Sequence, residues 1–127
     1  MKTQQLMLGD WVSHNGTPKT VDVIWGKEVS LNDPTQVWGS IYTDKFNEDE
    51  IEPIPLTPEI LEKNGFRKQD NSSGVIKLDT YWLGEEIGFR LHSFETGYYQ
   101  FGLAKIKYVH ELQHALKLCG MYKEIEI

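Results

Sequence analysis

Ile106-Lys107-Tyr108-Val109-His110-Glu111-Leu112-Gln113-His114-Ala115-Leu116-Lys117-Leu118-Cys119 is the stretch on which the reading of this chain turns. At about 100° per residue, Tyr108, Val109, Leu112, Ala115, Leu116 and Cys119 make one apolar stripe. The spacing predicts an amphipathic helix over 106–119 whose stripe covers a sheet. The same stretch holds the catalytic-looking motif His110-Glu111-Leu112-Gln113-His114. Two histidines four apart share a helix face and can bind zinc, with the intervening glutamate activating a metal-bound water.

A third ligand is where the motif stops short. Lys117 stands at the glycine position and Gly120 at the histidine position of the three-histidine variant. Only Glu124 and Glu126 follow for the variant with a downstream glutamate, and His92 has no motif behind it. The helical wheel sets His110 and His114 opposite the apolar stripe, flanked by Lys107 and Lys117. The segment therefore reads as a solvated polar face. A small zinc-dependent hydrolase using His110, His114 and Glu111 is the alternative.

The sheet to be covered lies just upstream. Residues 75–79, 87–94 and 98–103 read as antiparallel strands, with 81–83 extending the first. Ile76, Leu78, Ile87, Phe89, Leu91, Tyr99, Phe101 and Leu103 are placed on the covered face, and Lys77, Asp79, Glu86, Arg90, His92, Tyr98 and Gln100 on the wet one. Glu86, Arg90 and His92 alternate along one strand, a row that could bind an anion, although cross-strand pairing explains it equally. Residues 67–74 read as a polar loop, and 123–127 as a further strand at a sheet edge. Upstream again, Thr57 is a good N-cap, Pro58 suits the first helical position, and Gly65 is a left-handed stop. These bound a short helix, 58–64, joining the two halves.

The first 56 residues show short strands separated by turn residues: 8–12, 19–25, 28–31, 37–43 and 51–54, with turns at 15–18, 26–27 and 32–34. Five such strands suggest a small barrel, and the Gly9-Asp10-Trp11-Val12 opening looks like that of an SH3-like barrel. The overall expectation is an α+β protein: an SH3-like barrel over 1–56, then a connecting helix and an antiparallel sheet covered by the C-terminal helix over 57–127. Trp11, Trp38 and Tyr42 are the candidate binding residues of the barrel, with packing in its core as the other use for them. The acidic run Asp44, Glu48, Asp49, Glu50 and Glu52 reads as a solvated loop, since it lacks the ligand spacing of a calcium loop.

Composition bounds the function. With 127 residues, 39% hydrophobic and 25% charged, the chain is globular rather than disordered. It has no apolar run of the roughly 20 residues that span a membrane, and its first residues lack a signal peptide's apolar core. A single cysteine, Cys119, on the helix's apolar stripe predicts a buried, reduced thiol in the cytoplasm. The net charge of −6 is concentrated in residues 1–56, which carry four lysines and nine acidic residues. That half would repel a phosphate backbone, so nucleic acid is not the expected partner. Nucleotide-binding glycine loops and the nucleophile elbow are absent from the sequence.

The stretches Ile51-Glu52-Pro53-Ile54-Pro55-Leu56-Thr57-Pro58-Glu59-Ile60-Leu61-Glu62-Lys63-Asn64-Gly65-Phe66 and Ile106-Lys107-Tyr108-Val109-His110-Glu111-Leu112-Gln113, with the Gly9-Asp10-Trp11-Val12 opening, resemble a group of short uncharacterised proteins of gut bacteria and their prophages. The resemblance implies a small cytoplasmic accessory protein that binds another protein, and brings no activity or cofactor. In that group the position of His114 more typically reads as asparagine, which counts against zinc. The expected function is a non-catalytic, acidic interaction module with a basic protein partner.

Overall fold

In a computed structural model of the chain, the described residues are 1–32, 45–70, 78–84, 89–93, 97–121 and 123–127. They divide into two compact units, Met1–Ile54 and Pro55–Ile127. The architecture is α+β, with one antiparallel sheet in each unit and a C-terminal helix.

The first unit contains β1 (Trp11–His14), β2 (Thr17–Trp25), β3 (Glu28–Asn32), β4 (Lys45–Asn47) and β5 (Glu52–Pro53), in the spatial order β4-β3-β2-β1-β5. Asn15 (φ 51°) and Gly16 (φ 79°) form the two-residue hairpin joining β1 to β2, the left-handed pair that matches strand twist. Residues 8–10, predicted to begin a strand, form a turn instead. Gly9 (φ 87°) permits it, and the buried Asp10 carboxylate fixes it by accepting the Met7 N–H at 2.8 Å.

Leu6, Val12, Val21, Val29, Leu31 and Ile51 form the core of this unit, with Ile24 and Phe46 packed against it. The sequence alternation puts Val21, Val23 and Trp25 together, but the β2–β3 register shifts between Val21 and Val23. One extra residue reverses the facing of everything after it. Ile24 therefore packs on the core and Trp25 is exposed, with Lys45 Nζ 4.6 Å from its ring centre. The described strands form one sheet with β4 and β5 at its edges, and no closed barrel is seen among them. The predicted strand over 37–43 lies outside the described residues.

The second unit opens with α1 (Pro58–Lys63). Thr57 Oγ1 accepts the Ile60 N–H at 3.3 Å, and past Gly65 (φ 87°) the Phe66 N–H returns to the Leu61 carbonyl at 3.0 Å. This is the capped helix predicted, with its left-handed stop. β6 (Arg67–Asp70), β7 (Asp79–Leu83), β8 (Phe89–Ser93), β9 (Tyr99–Phe101) and β10 (Ala104–Ile106) follow as an antiparallel sheet in the order β10-β9-β8-β7-β6. α2 (Val109–Leu118) follows β10.

Strand alternation and the observed register put Tyr81, Leu91, Phe89 and Tyr99 on one face, all buried. Rings meet there edge-on in Tyr81–Tyr99 and Phe66–Phe89, and stacked in Phe89–Phe101. Val109, Leu112, Ala115 and Leu116 are the buried stripe of α2. The second unit thus has a sheet with one apolar buried face and a helix with one buried stripe.

Several expectations fail here for identifiable reasons. Residues 67–70, read as loop because they are all polar, pair residue for residue with β7 as an exposed strand. The predicted helix over 106–119 starts only at Val109, because Ile106 belongs to β10 and the Leu56 N–H donates to the Lys107 carbonyl. Leu103, expected on the covered face, sits fully exposed in the Gly102-Leu103 turn between β9 and β10. Asp79 lies on the same face as Tyr81, not on the wet face, because Tyr81 sets the facing of β7.

The tail over 123–127 forms no strand. The Asn64 side chain clasps it, accepting the Glu126 N–H and donating to the Glu126 carbonyl, both at 2.7 Å. Ile125 is buried beside this clasp.

Candidate functional site

The zinc-like segment is the first place to look, and the structure gives its residues other work. Glu111 occupies the third position of α2, and its Oε1 accepts the N–H groups of Lys107 (3.0 Å) and Tyr108 (3.1 Å). Those donors lie at the helix start, where no preceding turn can satisfy them. The carboxylate that would serve as a general base is thus turned back onto its own backbone.

His110, predicted to face solvent, is buried at 5% exposure. Its ring stacks on Tyr108 at 5.9 Å and 10°, and meets His114 edge-on at 5.7 Å. The helical wheel misplaces it because the first turn of α2 is enclosed on more than one side. His114 is half-buried. Cys119, predicted buried, is exposed at the helix C-cap, three residues beyond Leu116, the last buried residue of the stripe. Among the described residues, no three histidine, cysteine or acidic side chains are grouped so as to hold a metal ion.

The wet-face row is also explained by pairing. Arg90 lies over the Trp82 ring at 5.2 Å, its cross-strand neighbour. His92 Nδ1 is 3.2 Å from the hydroxyl of its own neighbour, Thr80. Glu86 lies outside the described residues. Of the candidate binding residues, Trp11 is half-buried in β1, opposite Thr20. Trp38 and Tyr42 lie outside the described residues.

The acidic run divides into two roles. Glu48 is buried, and its Oε2 accepts the Thr3 N–H (3.1 Å) and hydroxyl (3.3 Å), with Lys2 3.8 Å from the other oxygen. The Thr3 N–H holds this carboxyl below the usual range, against the opposing effect of burial, and Lys2 adds to the lowering. Asp49, Glu50 and Glu52 are exposed instead. They line a polar cleft of about 630 Å³ with His14, Asn15 and Gly16.

Local structure accounts for that gathering. Asn47 Oδ1 accepts the Asp49 N–H and starts the tight turn Glu48–Glu50, while Glu52 pairs with Ser13 beside the β1–β2 hairpin. The His14 ring leans on Phe46 at 4.2 Å, which fixes one wall. Three exposed carboxylates facing a hairpin can accept charge-assisted hydrogen bonds from lysine or arginine. The sequence shows the acids but not the cleft, since the pairing of β5 with β1 brings 49–52 to 14–16 across a long stretch of chain.

Comparison with known proteins finds no matching family model, no matching curated protein and no matching solved structure.

Proposed function

We propose that the protein is a non-catalytic interaction module whose first unit binds a basic protein segment. The observation that carries this reading is the cleft at the β1–β2 hairpin, where Asp49, Glu50 and Glu52 present three exposed carboxylates. Residues 1–56 carry four lysines against nine acidic residues, so the surroundings of the cleft attract the same partner. Trp11, Trp38 and Tyr42 are the proposed apolar contacts of the same module. An SH3-like relationship of the first unit is supported by its strand order, in which the last strand returns to pair with the first. The resemblance to short prophage-associated proteins supports an accessory role in the cytoplasm. In the second unit, the capping bonds of Glu111 and the burial of His110 favour binding over hydrolysis.

The test is calorimetric titration with a lysine- and arginine-rich decapeptide at low salt. Binding should weaken at least about tenfold in the Asp49→Asn, Glu50→Gln, Glu52→Gln triple variant, since charged contacts of this kind carry about 1–3 kcal/mol. Unchanged affinity in that variant would remove the cleft. Unchanged affinity after replacing Trp11, Trp38 and Tyr42 would remove the aromatic contacts.

A further inference from the structure

The second unit carries a surface of opposite character to the first. The register places Arg67 of β6, Trp82 of β7 and Arg90 of β8 side by side. It likewise aligns Gln69, Thr80, His92, Gln100 and Lys105 across all five strands. By alternation, both rows lie on the face opposite Tyr81 and Leu91. Arg67, Gln69, Arg90 and Lys105 are exposed there, Trp82, His92 and Gln100 are half-buried, and Thr80 between them is buried. No aspartate or glutamate occupies this face among the described residues.

Cations and rings are paired on it. Arg67 and Arg90 approach the Trp82 ring from the two neighbouring strands, at 6.0 and 5.2 Å from its centre. Lys105 Nζ lies 4.9 Å from the centre of the Tyr98 ring. Arg67 Nη2 also donates to the Gly84 carbonyl at 3.3 Å, so the two guanidiniums and the indole are held as one cluster on the sheet. A chain of net charge −6 has thus collected two guanidiniums, an ammonium, an imidazole and two rings on one sheet face.

We infer that this face, built on Arg67, Trp82, Arg90, Tyr98 and Lys105, binds single-stranded nucleic acid. Cations alone would suit any anionic partner. Guanidiniums and rings clustered on one face of an antiparallel sheet suit a strand that offers flat bases as well as phosphates, because bases stack on guanidinium planes as well as on rings. A purely acidic segment such as polyglutamate supplies the charge but nothing to stack. The acidity of the first 56 residues does not decide the matter. It acts on an oligonucleotide and on an acidic peptide alike, so the face itself decides between them. The proposal is independent of the acidic cleft, which lies in the other unit and takes a partner of opposite charge.

Fluorescence anisotropy of the full chain tests it, with fluorescein-labelled 12-mers of oligo-dT, oligo-U and polyglutamate as probes. The expected result is binding of one or both oligonucleotides at 50 mM salt, at least tenfold tighter than polyglutamate. The Arg67→Ala/Arg90→Ala variant should weaken it at least tenfold and reduce the slope of log K against log salt by about 0.7 for each cation removed. Lys105→Glu, two strands away and outside the Trp82 contact, should weaken it as well, so that a local fault around Trp82 cannot account for the loss. Polyglutamate binding as tightly as the oligonucleotides would overturn the inference in favour of an acidic protein partner. Absence of oligonucleotide binding, or equal affinity in both variants, would overturn it outright.

Discussion

Two glutamates show how little a side chain's class reveals about its use. Glu48 lies in a run of acids that reads as solvated, yet it is buried and accepts two bonds from Thr3. Because its folded pKa lies below the ordinary value of 4.5, its contribution is present above that value and is lost as pH falls through the folded pKa. Glu48→Gln should therefore flatten the acid limb of the first unit's stability, measured as melting temperature between pH 6 and pH 3. An unchanged limb would show that the carboxylate is not what holds Thr3. Glu111 is the second case, since its place in a zinc-like motif conceals a helix cap. Glu111→Ala should cost about 0.5–1.5 kcal/mol in urea unfolding, and Glu111→Gln, which keeps the acceptor, clearly less. The burial of His110 was not legible beforehand. Periodicity gives the angle of a residue about its helix, not what encloses that helix at its first turn.

Elements were legible where backbone chemistry is local. The α1 boundaries follow from Thr57, Pro58 and Gly65, because caps are settled within a few residues, whereas the turn expected over 15–18 is confined to Asn15-Gly16, and Thr17 and Pro18 already pair in β2. β6 was not legible, since Arg67, Lys68, Gln69 and Asp70 have no apolar alternation and become a strand only by pairing with β7. The bulge at residue 22 had no sequence mark either, and it changed which of Ile24 and Trp25 packs inside. The tail was predicted as a strand and is held instead by side chains at the end of α1, where Lys63 Nζ donates to the Ile127 carbonyl at 2.7 Å. Asn64 is buried and bonds both main-chain groups of Glu126 and the Ile60 carbonyl. Asn64→Ala should cost about 1–3 kcal/mol and should release the amides of 124–127 to fast hydrogen exchange. Retained protection of those amides would mean that Lys63 and the burial of Ile125 suffice to hold the tail.

For the molecule as a whole, composition gave the right class and half of the surface. It showed an acidic chain with an α+β pattern, and the acids do line a cleft. It could not show that Arg67, Trp82 and Arg90 share a face, because they are separated in sequence and meet only through strand register. Buried tyrosines give the second unit an alkaline limit. Desolvation pushes the Tyr99 phenol up to about 12, and that of Tyr81 upward too. For a pKa raised on folding, stability is complete below the unfolded value and declines as pH rises through the folded one. The second unit should lose stability above about pH 10, seen as a falling urea midpoint between pH 9 and pH 11.

The central claim is that the first unit meets its partner at the acidic cleft and that the histidine motif serves the fold. Titration of the ¹⁵N-labelled chain with the basic decapeptide, followed through backbone amide shifts, tests it most directly. The shifts should gather at residues 14–16 and 49–52 and vanish in the triple cleft variant. Shifts gathered instead at His110, Glu111 and His114, or no shifts at millimolar peptide, would contradict it.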